Sequence, residues 1–385
     1  MLRTRAKSPG GLEWVPGARL VLSEAIDRDS TSCFLFALHP TTLTGGPIME
    51  VDRAVLDLLG ISAERTTLTA SLGNGASSAT TSKITSIGGN GSEKAFFMKI
   101  SSGPDAHLLV QGEHASLQAI HTAVPGLSPQ SLGTGTYQCS PSTSFIVIDF
   151  LQLSNPMFPS LMGLFDSLIS PRQELAAKLA QLHTTLAPIP EGFTEPQFGF
   201  PVTTCCGDTP QDNSFKASWA TFFAENRLKH ILQRCEASQG VDLVLRKLVQ
   251  DVVAIVVPRL LGEEHLGSGN GITPVVVHGD LWYGNVGRCT IPNEPVRDII
   301  FDPSAFYGHS EYELGIMLMF GGFSRSFFAA YHALCPKTEP VEEYDDRLKL
   351  YQLNGLQDII TSTILPFSGL KGSTASSAAR IEKGR

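Results

Sequence analysis

The 385-residue sequence lacks the features that mark membrane-spanning and nucleic-acid-binding proteins. Its longest apolar runs, such as CFLFAL at 33–38, are far shorter than the ~20 residues that a spanning helix needs. The formal net charge is −8, and no dense block of Lys and Arg occurs. Nothing in the sequence therefore favours electrostatic binding to nucleic acid or to an anionic membrane. A phosphate-bearing ligand would have to be held by a few well-placed groups.

Paired cysteines are also lacking. The seven cysteines have neither the CxxC spacing of a zinc site nor the density of a disulfide scaffold. We interpret them as reduced, largely buried thiols of a cytoplasmic protein. The basic start, MLRTRAKS, is soon followed by Glu13 and by no clean amphipathic segment, so a mitochondrial transit peptide is the less favoured interpretation.

The composition is that of an ordinary globular protein, 42% hydrophobic and 17% charged. The sequence pattern changes from strand-like to helix-like near residue 151. Residues 1–50 are predicted to be an irregular extension, and residues 51–150 a β-rich lobe. Residues 151–367 are predicted to be a mainly helical lobe, and residues 368–385, which lack apolar periodicity, a disordered tail. The sequence thus predicts an α+β protein with two lobes.

Local patterns place the first elements of this fold. VDRAVLDLLG, from Val51, predicts a short helix with a glycine stop. The Gly/Ser/Thr-rich segment before AFFMKI predicts a hairpin with glycine-rich connections, and VQGEHASLQAI at 110–120 predicts a helix with Glu113 near its start. SFIVIDF at 144–150 is typical of a strand buried on both faces.

The helical half begins with SPRQELAAKLAQLHTTL. This segment predicts an N-cap at Ser170, Pro171 at the first helical position and Gln173 as the partner in a capping box. One apolar face is predicted, made of Leu175, Leu179, Leu182 and Leu186. The stretch 215–262 is again helical in pattern.

The residues that carry chemistry lie in HGDLWYGN, at 278–285, and in a segment after it. TPVVV at 273–277 reads as a buried strand leading into Asp280 and Asn285, and RDIIFDPSA at 297–305 as a second strand ending at Asp302. Phosphoryl transfer needs a carboxylate that accepts the proton of an attacking hydroxyl, and oxygen ligands that hold Mg²⁺ on nucleotide phosphates. The D-x-x-x-x-N spacing matches that of kinase catalytic loops. The same residues would also serve as turn formers and a helix cap, but their joint occurrence behind two strands favours the catalytic interpretation.

Lys99 is a charge within a run that otherwise favours burial, between Phe97, Met98 and Ile100. Burying an ammonium group alone is costly, so a partner is implied. Glu113 could pair with Lys99 and hold it against nucleotide phosphates, as a strand lysine and a helix glutamate do in kinases. The alternative is an exposed lysine on an edge strand and a solvated glutamate.

Three weaker signals complete the candidate site. Gly73 and Gly75 could form a loop over the phosphates, although a flexible turn has the same composition. The segment ending at Phe150 lies where a hinge between the lobes would contact an adenine ring. His278 is expected to brace the catalytic loop, because the base role is already filled.

Together these motifs resemble the fructosamine kinase family, the ketosamine or protein-ribulosamine 3-kinases, within the aminoglycoside phosphotransferase-like branch of the protein-kinase-like fold. The matching segments are HGDLWYGN, FDPSAFYGHSEYELGIMLMFGGF, FGFPVTTCCGDTPQDN and SWATFFAENRL, within residues 50–355. The HGDLW form and GHSEYEL separate this family from choline kinases and from other aminoglycoside kinases. The fold that the resemblance implies is a bilobal one, with a β-rich N-lobe and a mainly α-helical C-lobe.

The resemblance also implies a role for each candidate residue. The implied roles are catalytic base for Asp280, metal ligands for Asn285 and Asp302, a phosphate-orienting pair for Lys99 and Glu113, and an adenine-contacting hinge for Asp149, Phe150 and Leu151. The implied reaction is transfer of phosphate from ATP, with Mg²⁺, to the 3-hydroxyl of a ketoamine on a glycated lysine, either protein-bound or free. The product sheds the sugar, so the family serves protein deglycation and repair.

Some residues depart from the family pattern. Ser310 and Glu313 stand where the family has Arg and Asp, and the chain after about residue 355 departs from the expected helical ending. Trp282 could present its ring to the substrate amine or sugar, or could simply pack between the lobes. Two other functions remain open: a kinase of small molecules such as aminoglycosides or choline-like compounds, and a pseudokinase that binds nucleotide without turnover.

Overall fold

The computed structural model describes residues 50–70, 79–153, 172–290 and 296–363. Within these ranges strands dominate up to residue 153 and helices dominate after residue 172, so the predicted α+β class is confirmed. Residues 1–49, the loop glycines Gly73 and Gly75, and the predicted tail at 368–385 lie outside the described residues. The lobe boundary near residue 151 stays a prediction. No helix in the described ranges has the length and apolar character needed to cross a membrane.

The elements are named in chain order. The strands are β1 (Thr66–Ala70), β2 (Thr80–Ile87), β3 (Glu93–Ser102), β4 (Ser131–Thr136), β5 (Thr143–Asp149), β6 (Gln152–Leu153), β7 (Cys205–Cys206), β8 (Thr209–Pro210), β9 (Val275–Val277), β10 (Val286–Thr290), β11 (Arg297–Ile300) and β12 (Phe306–Gly308). The α-helices are α1 (Arg53–Leu59), α2 (Ala106–Ala123), α3 (Gln173–Leu182), α4 (Trp219–Phe222), α5 (His230–Gln239), α6 (Leu243–Asp251), α7 (Val257–Leu261), α8 (Ser310–Phe320), α9 (Arg325–Leu334) and α10 (Tyr344–Thr363). Turns of π-helix join α4 to α5 (Phe223–Lys229) and α6 to α7 (Val252–Val256).

The N-terminal sheet has five antiparallel strands in the order β1-β2-β3-β5-β4. The predicted glycine-rich hairpin is confirmed between β2 and β3, where Ile87 pairs with Glu93. Because side chains alternate along a strand, each face of β5 serves a different neighbour. Ile146 and Ile148 pack against α2, whereas Val147 packs in the cluster that includes α1. Strand β5 is therefore buried on both faces, as predicted for SFIVIDF.

Helix α1 is confirmed together with its stop signal. Asp52 caps the N-terminus by accepting a hydrogen bond from the Ala54 N–H at 2.9 Å. The helix ends at Gly60, whose φ of 62° lies in the left-handed region that glycine adopts without steric cost.

The predicted start of α3 is wrong. Ser170 and Pro171 lie outside the described residues. The N-cap position is Arg172, with no side-chain cap, and the helix begins at Gln173, so Gln173 is not the third residue of a capping box. The predicted apolar face is correct as far as Leu182, where the helix ends. Leu186 lies beyond the end and is 61% exposed.

Two threonine hydroxyls bond to carbonyl oxygens at the end of α3. The hydroxyl of Thr185 donates to the carbonyl oxygen of Gln181 at 2.8 Å, and that of Thr184 donates to the carbonyl oxygen of Ala180 at 2.8 Å. The Thr185 N–H shares the Gln181 acceptor, at 3.0 Å. The apolar spacing alone does not predict such local side-chain bonds to the backbone.

Two other helix boundaries differ from expectation. Helix α2 begins at Ala106, so Glu113 lies in mid-helix and not near its start; the buried positions at Ala106 and Val110 extend the apolar face towards the N-terminus. At the other end of the chain, α10 continues to Thr363 and so corrects the expected departure from a helical ending after residue 355. A lone glycine such as Gly355 costs only about 1 kcal/mol inside a helix, which a long helix tolerates.

The helical part is built around Trp219. Its indole stacks against Phe222 and Phe306, with ring centroids 5.7 and 6.5 Å apart, and its Nε1–H donates to the Tyr351 hydroxyl at 3.0 Å. This core holds the antiparallel pair of β9 and β12. The two strands consequently deliver the segments before residue 278 and after residue 302 from a rigid base.

The loops that carry the candidate residues are joined by backbone hydrogen bonds. The predicted strand at 297–305 is shorter than expected: β11 ends at Ile300, and Asp302 lies in the connection to β12. The Phe301 N–H donates to the Asn285 carbonyl oxygen at 3.0 Å, and the Ser304 N–H donates to the His278 carbonyl oxygen at 2.9 Å. The fold thus fixes residues 278–285 beside Asp302.

Candidate active site

Two glycines allow the loop at 278–285 to adopt its path. Gly279 has a φ of 83°, and a Cβ there would lie 2.1 Å from the Ser304 carbonyl oxygen. A Cβ at Gly284 would lie 2.1 Å from the ring of Trp282. Any side chain at either position would push the loop away from its neighbours. These close contacts explain why HGDLWYGN has glycine at both positions.

The buried carboxylate of Glu313 holds this loop in place. Glu313, on α8, is fully enclosed and accepts hydrogen bonds from the backbone N–H groups of His278, Gly279 and Leu281, the latter two at 3.1 Å. Burial raises the pKa of Glu313 to about 7, although the three N–H groups act in the opposite direction. The residue clamps the backbone on both sides of Asp280.

His278 makes the predicted bracing contacts. Its Nε2 lies 3.0 Å from the Phe301 carbonyl oxygen, and its Nδ1 accepts from the Asp280 N–H at 3.3 Å. Burial lowers the pKa of His278 to about 4, so the ring is neutral near pH 7. A neutral ring that donates at Nε2 and accepts at Nδ1 ties the two loops together.

Asp280 and Asn285 meet as their spacing predicted. The Asn285 amide Nδ2 donates to the Asp280 carbonyl oxygen at 2.8 Å and to its carboxylate Oδ2 at 3.2 Å. These bonds fix the rotamer of the amide and use its nitrogen. The oxygen of Asn285 is thereby the atom left to act as an acceptor or ligand.

Lys99 reaches two carboxylates. Its Nζ donates to Glu113 Oε1 at 2.7 Å, which is the predicted contact, and also to Asp302 Oδ1. Burial disfavours the ammonium group, but the charges of the two carboxylates outweigh it and raise the pKa of Lys99. Lys99 is therefore charged, and with three N–H donors it has one more to offer a ligand.

Asp302 differs from the other carboxylates of the site in its backbone and exposure. Its φ of 57° lies in the left-handed region, where non-glycine residues are uncommon and Asp is among the more tolerated. Its side chain is 40% exposed, against 17% for Glu113. Of the two carboxylates that bind Lys99, Asp302 is thus the more accessible to a ligand.

These side chains line one cavity. Its described lining comprises Ala79, Thr81, Lys99, Ser101, Leu109, Val110, Glu113, Cys205, Gly207, Asp280, Trp282, Asn285, Asp302 and Pro303. Three carboxylates and one ammonium group stand in this lining. Because negative charge is in excess, a polyanionic ligand would need cations with it in order to bind here.

The excess of negative charge in the cavity lining also favours the binding of a metal ion. The oxygens of Asn285 and Asp302 are the hard donors that Mg²⁺ prefers. In the described ranges no three His, Cys, Asp or Glu side chains converge into a metal cage. Mg²⁺ commonly binds through one or two protein oxygens, with waters and substrate phosphates completing its shell, so the donor set fits that ion.

The contacts of Trp282 are compatible with both of its predicted roles, contact with the substrate and packing between the lobes. Its ring lines the cavity, and its centroid lies 5.7 Å from that of Phe320. The same lining includes Cys205 and Gly207, from the hairpin of β7 and β8. Burial raises the pKa of the Cys205 thiol to about 12, so this cysteine is a weak nucleophile.

The predicted hinge lies at the end of β5. The Asp149 N–H donates to the Gln130 carbonyl oxygen at 3.0 Å, and the Lys83 ammonium group lies 4.5 Å from the ring centroid of Phe150. Asp149, Phe150 and Leu151 are not among the described residues that line the cavity. Their contact with adenine stays a prediction.

Two features of this site were missing from the predictions. Asp302 was not expected as a second partner of Lys99, and Glu313 was noted only as a departure from a family pattern. A signal for Glu313 was available: a carboxylate within the apolar helix SEYELGIMLMF needs partners as much as a lysine within AFFMKI does.

Comparison with known proteins gives a consistent result. A family model described as fructosamine kinase matches residues 64–357. A ketosamine-3-kinase of Mus musculus is 33% identical over 274 residues, which cover 67% of this chain and 79% of that protein. A chloroplastic protein-ribulosamine 3-kinase of Arabidopsis thaliana is 30% identical over 262 residues, covering 67% and 68% of the two chains.

Solved structures share the fold. A candidate fructosamine-3-kinase from Haemophilus somnus superposes with a TM-score of 0.61 at 20% identity, covering 82% of this chain and 90% of that one. A mutant aminoglycoside phosphotransferase APH(4)-Ia, in a ternary complex with AMP-PNP and hygromycin B, gives 0.50 at 14% identity, covering 81% and 90%. At these identities the likeness concerns the fold, which is the bilobal protein-kinase-like one.

Proposed function

Because this chain belongs to the fructosamine kinase family, matched over residues 64–357, we propose that it is an ATP-dependent ketoamine 3-kinase. Its acceptor is the 3-hydroxyl of the ribulosamine or fructosamine formed on a glycated lysine. The observation that carries the proposal is the convergence of Asp280, Asn285, Lys99 and Asp302 on one cavity. Each of these groups has a task in phosphoryl transfer.

Asp280 is the base. In the reaction the oxygen of the 3-hydroxyl forms a bond to the γ-phosphorus of ATP, the bond from that phosphorus to the β,γ-bridging oxygen breaks, and the hydroxyl proton passes to the Asp280 carboxylate. The clamp of Glu313 on the neighbouring N–H groups keeps Asp280 in place. A base held in this way orients the hydroxyl before it attacks.

Lys99, Asn285 and Asp302 act on the nucleotide. The free donor of Lys99 binds a phosphate oxygen, and Glu113 keeps the lysine from turning away. The oxygens of Asn285 and Asp302 would hold Mg²⁺, which when bound neutralises charge on the phosphates. Gly73 and Gly75 are proposed to cover the phosphates, and Asp149, Phe150 and Leu151 to contact the adenine.

The acceptor side of the cavity suits an amine-bearing sugar. The net charge of −8 and the carboxylates of the lining attract a cation. A ketoamine on lysine keeps a protonatable secondary amine, and Trp282 offers an aromatic face for it or for the sugar carbons. The phosphorylated ketoamine then sheds its sugar, so the activity amounts to protein deglycation, with the cytoplasm as the proposed location.

The proposal is tested by following ADP release with three acceptors in parallel: ribulose-lysine, fructose-lysine and kanamycin. We expect turnover with one or both ketoamines, dependence on Mg²⁺, and a phosphate on O3 by ³¹P and ¹³C NMR. Asp280→Asn is the matched control, since it removes the base and keeps the loop.

The other outcomes separate the rival functions. Faster turnover of kanamycin than of either ketoamine would replace the proposal by a broader small-molecule kinase. Binding of ATP without turnover of any acceptor would indicate a pseudokinase.

A further inference from the structure

Helix α2, which carries Glu113, packs against both the N-terminal sheet and the helical part of the fold. Val110 and Leu117 lie in a small apolar cluster with strand β5. Ile120, further along the helix, belongs to the large core of the helical part. The position of Glu113 therefore depends on contacts with both parts of the molecule.

Gly112 lets the middle of α2 lie directly against the chain that leads into β7. A Cβ at this position would lie 2.7 Å from the carbonyl oxygen of Thr203 and 3.0 Å from the Cα of Thr204. These neighbours are backbone atoms, which cannot turn aside as the end of a side chain can. The Gln211 N–H donates to the Thr204 carbonyl oxygen at 2.9 Å, and the Asn213 amide donates to the Thr204 hydroxyl at 2.8 Å. The helix thus rests on backbone that is itself held in place.

One turn further along α2, Ser116 bonds to the loop that carries Asp302. Its side chain is fully buried, and its Oγ donates to the Gly112 carbonyl oxygen at 2.7 Å and accepts from the Ala305 N–H at 3.0 Å. A hydroxyl has one proton to donate and an N–H can only donate, so the direction of both bonds is fixed. Ala305 is also fully buried. Loss of the hydroxyl would therefore leave a buried donor without its acceptor, which is unfavourable.

The loop of Asp302 requires support of this kind. Its left-handed φ of 57° is unfavourable for a residue with a side chain, and such a conformation persists only where the surrounding structure determines it. Two N–H groups that flank Asp302 donate to carbonyl oxygens of the segment 278–285. A third, that of Ala305, donates to Ser116. The loop is therefore held by the catalytic loop on one side and by α2 on the other.

We propose that Ser116 is a positioning residue of the phosphoryl-transfer site, which holds α2 and the loop of Asp302 in one register. Lys99 donates to Glu113 from the helix at 2.7 Å and to Asp302 from the loop. It can bind both carboxylates at once only while helix and loop keep their relative position. The close approach at Gly112 seats the helix for this bond. The inference rests on the proposed function in that it takes Asp302 as a ligand of Mg²⁺.

The first test follows hydrogen–deuterium exchange in the full-length protein without any ligand. In Ser116→Ala, exchange should quicken at least about fivefold both in α2 and in residues 301–306, because a buried N–H has lost its acceptor. Thr122→Ala is the matched control, since it removes an exposed hydroxyl from the same helix, and it should leave residues 301–306 unchanged. Faster exchange in α2 alone would confine the role of Ser116 to the helix and overturn the proposal.

The second test measures how well the metal ion is held. Calorimetry gives the dissociation constant of AMP-PNP with and without Mg²⁺, and the ratio of the two constants reports the contribution of the ion. Ser116→Ala should reduce this ratio by roughly 2- to 30-fold and leave the constant without Mg²⁺ nearly unchanged. Equal weakening under both conditions, or no change in either, would overturn the proposal. A wild type that does not bind AMP-PNP would count against the kinase activity, and the exchange experiment would then decide the role of Ser116.

Gly112→Ala tests the close approach separately. Alanine favours a helix more than glycine does, so a helix without close neighbours would gain stability from this change. Because the new Cβ meets the Thr203 carbonyl oxygen, the melting temperature should fall, and exchange in residues 301–306 should quicken as it does in Ser116→Ala. A variant more stable than the wild type, with unchanged exchange in residues 301–306, would mean that α2 does not fix this loop, and the proposal would fail.

Discussion

Lys99 in the cleft and Arg347 in the helical core are both enclosed cations, and each has a glutamate within 2.7 Å: Glu113 for Lys99 and Glu311 for Arg347. Their surroundings differ. Arg347 donates to both oxygens of Glu311 and to the carbonyl oxygens of Thr338 and Pro340, and its side chain is fully buried.

The balance of charge differs as well. Burial works to raise the pKa of Glu311, but His309 and Arg347 hold it below its ordinary value. One cation meets one carboxylate there, and the Thr338 N–H completes the arrangement. In the cleft, Lys99 stands between two carboxylates, and Asp280 lies in the same cavity.

A buried polar cluster can serve a ligand when it leaves hydrogen-bonding capacity or charge unused. The Arg347 network uses its hydrogen-bonding capacity internally, as a structural network must. The Lys99 cluster keeps a donor and an excess of negative charge, both of which a ligand with its own cations can use. Removing a cleft group should therefore cost activity, and removing a core group should cost stability.

The largest effect is expected for Asp280→Asn. The variant keeps the size of the side chain and removes the proton acceptor, so turnover should fall by about 10² to 10⁴, the usual contribution of a positioned base. The dissociation constant for ATP and the melting temperature should change little. Steady-state kinetics, nucleotide titration and calorimetry check these points, and a variant that keeps its activity would contradict the assignment of the base.

Arg347→Met should have its effect on stability. Breaking a buried ion pair leaves Glu311 without its counter-charge, at a cost of about 3 to 5 kcal/mol in the free energy of unfolding. Urea denaturation measures this value. Lys349→Met, on the same helix, removes a lysine that pairs with Asp346 at 73% and 61% exposure, and should cost about 0 to 1 kcal/mol.

A second variant sharpens this prediction. Arg347→Met combined with Glu311→Leu should be more stable than Arg347→Met alone, because no unpaired charge stays buried. A loss below about 1 kcal/mol for Arg347→Met would show that the core pair is not the structural counterpart of the cleft pair.

The two cation sites also differ in how far the sequence predicted them. Lys99 and Glu113 were predicted because a lysine in an apolar strand needs a partner, and a helix follows within reach. Glu311 and Arg347 are 36 residues apart, and Lys99 and Asp302 are 203 apart. Pairings of this range depend on how the helices and loops pack, which local patterns do not encode.

Elements with strong local signals were predicted well, and boundaries less so. The strand SFIVIDF and the glycine stop of α1 follow from apolar runs and from φ preferences, which are local. The start of α3 at Gln173, in place of a cap at Ser170, and the start of α2 at Ala106 were missed. Helix ends depend on competition among caps, hydroxyls and tertiary packing, and the sequence alone does not rank these.

The pairing of Lys99 with Glu113 can be tested by a double-mutant cycle. Lys99→Met should lower kcat/KM by about 10- to 100-fold, the value of a hydrogen bond between charged groups. Glu113→Gln should be milder, because Asp302 still holds the lysine. The double variant should lose little beyond Lys99→Met, since one pair does one task.

Lys94→Met is the control for this cycle, because Lys94 is an exposed lysine on the same strand. It should leave kcat/KM unchanged. Additive losses for Lys99→Met and Glu113→Gln would mean that the two side chains act separately.

Glu313 links the core to the cleft and should do so in a pH-dependent way. Its pKa is raised to about 7 from the ordinary 4.5, so the folded state holds a proton that the unfolded state releases above pH 4.5. The contribution to stability is therefore full below pH 4.5 and is lost as the pH rises through about 7. Glu313→Gln cannot titrate.

The stability advantage of the wild type over Glu313→Gln should consequently shrink by roughly 1 to 3 kcal/mol between pH 5 and pH 8. Urea denaturation of both proteins across this range measures it. An advantage that stays constant or grows with pH would mean that the three N–H bonds outweigh burial.

The smallest effect is expected for Trp282→Leu, which tests whether an aromatic ring at the border of cleft and core serves the substrate. If the ring faces the amine or the sugar, the KM for the ketoamine should rise roughly 2- to 30-fold, corresponding to a cation–π contribution of about 0.5 to 2 kcal/mol. The KM for ATP should move much less. Phe320→Leu is the matched control, because Phe320 contacts the same indole, with centroids 5.7 Å apart. If Trp282 only packs against Phe320, the two variants should lower the melting temperature alike and leave the ratio of the two KM values unchanged.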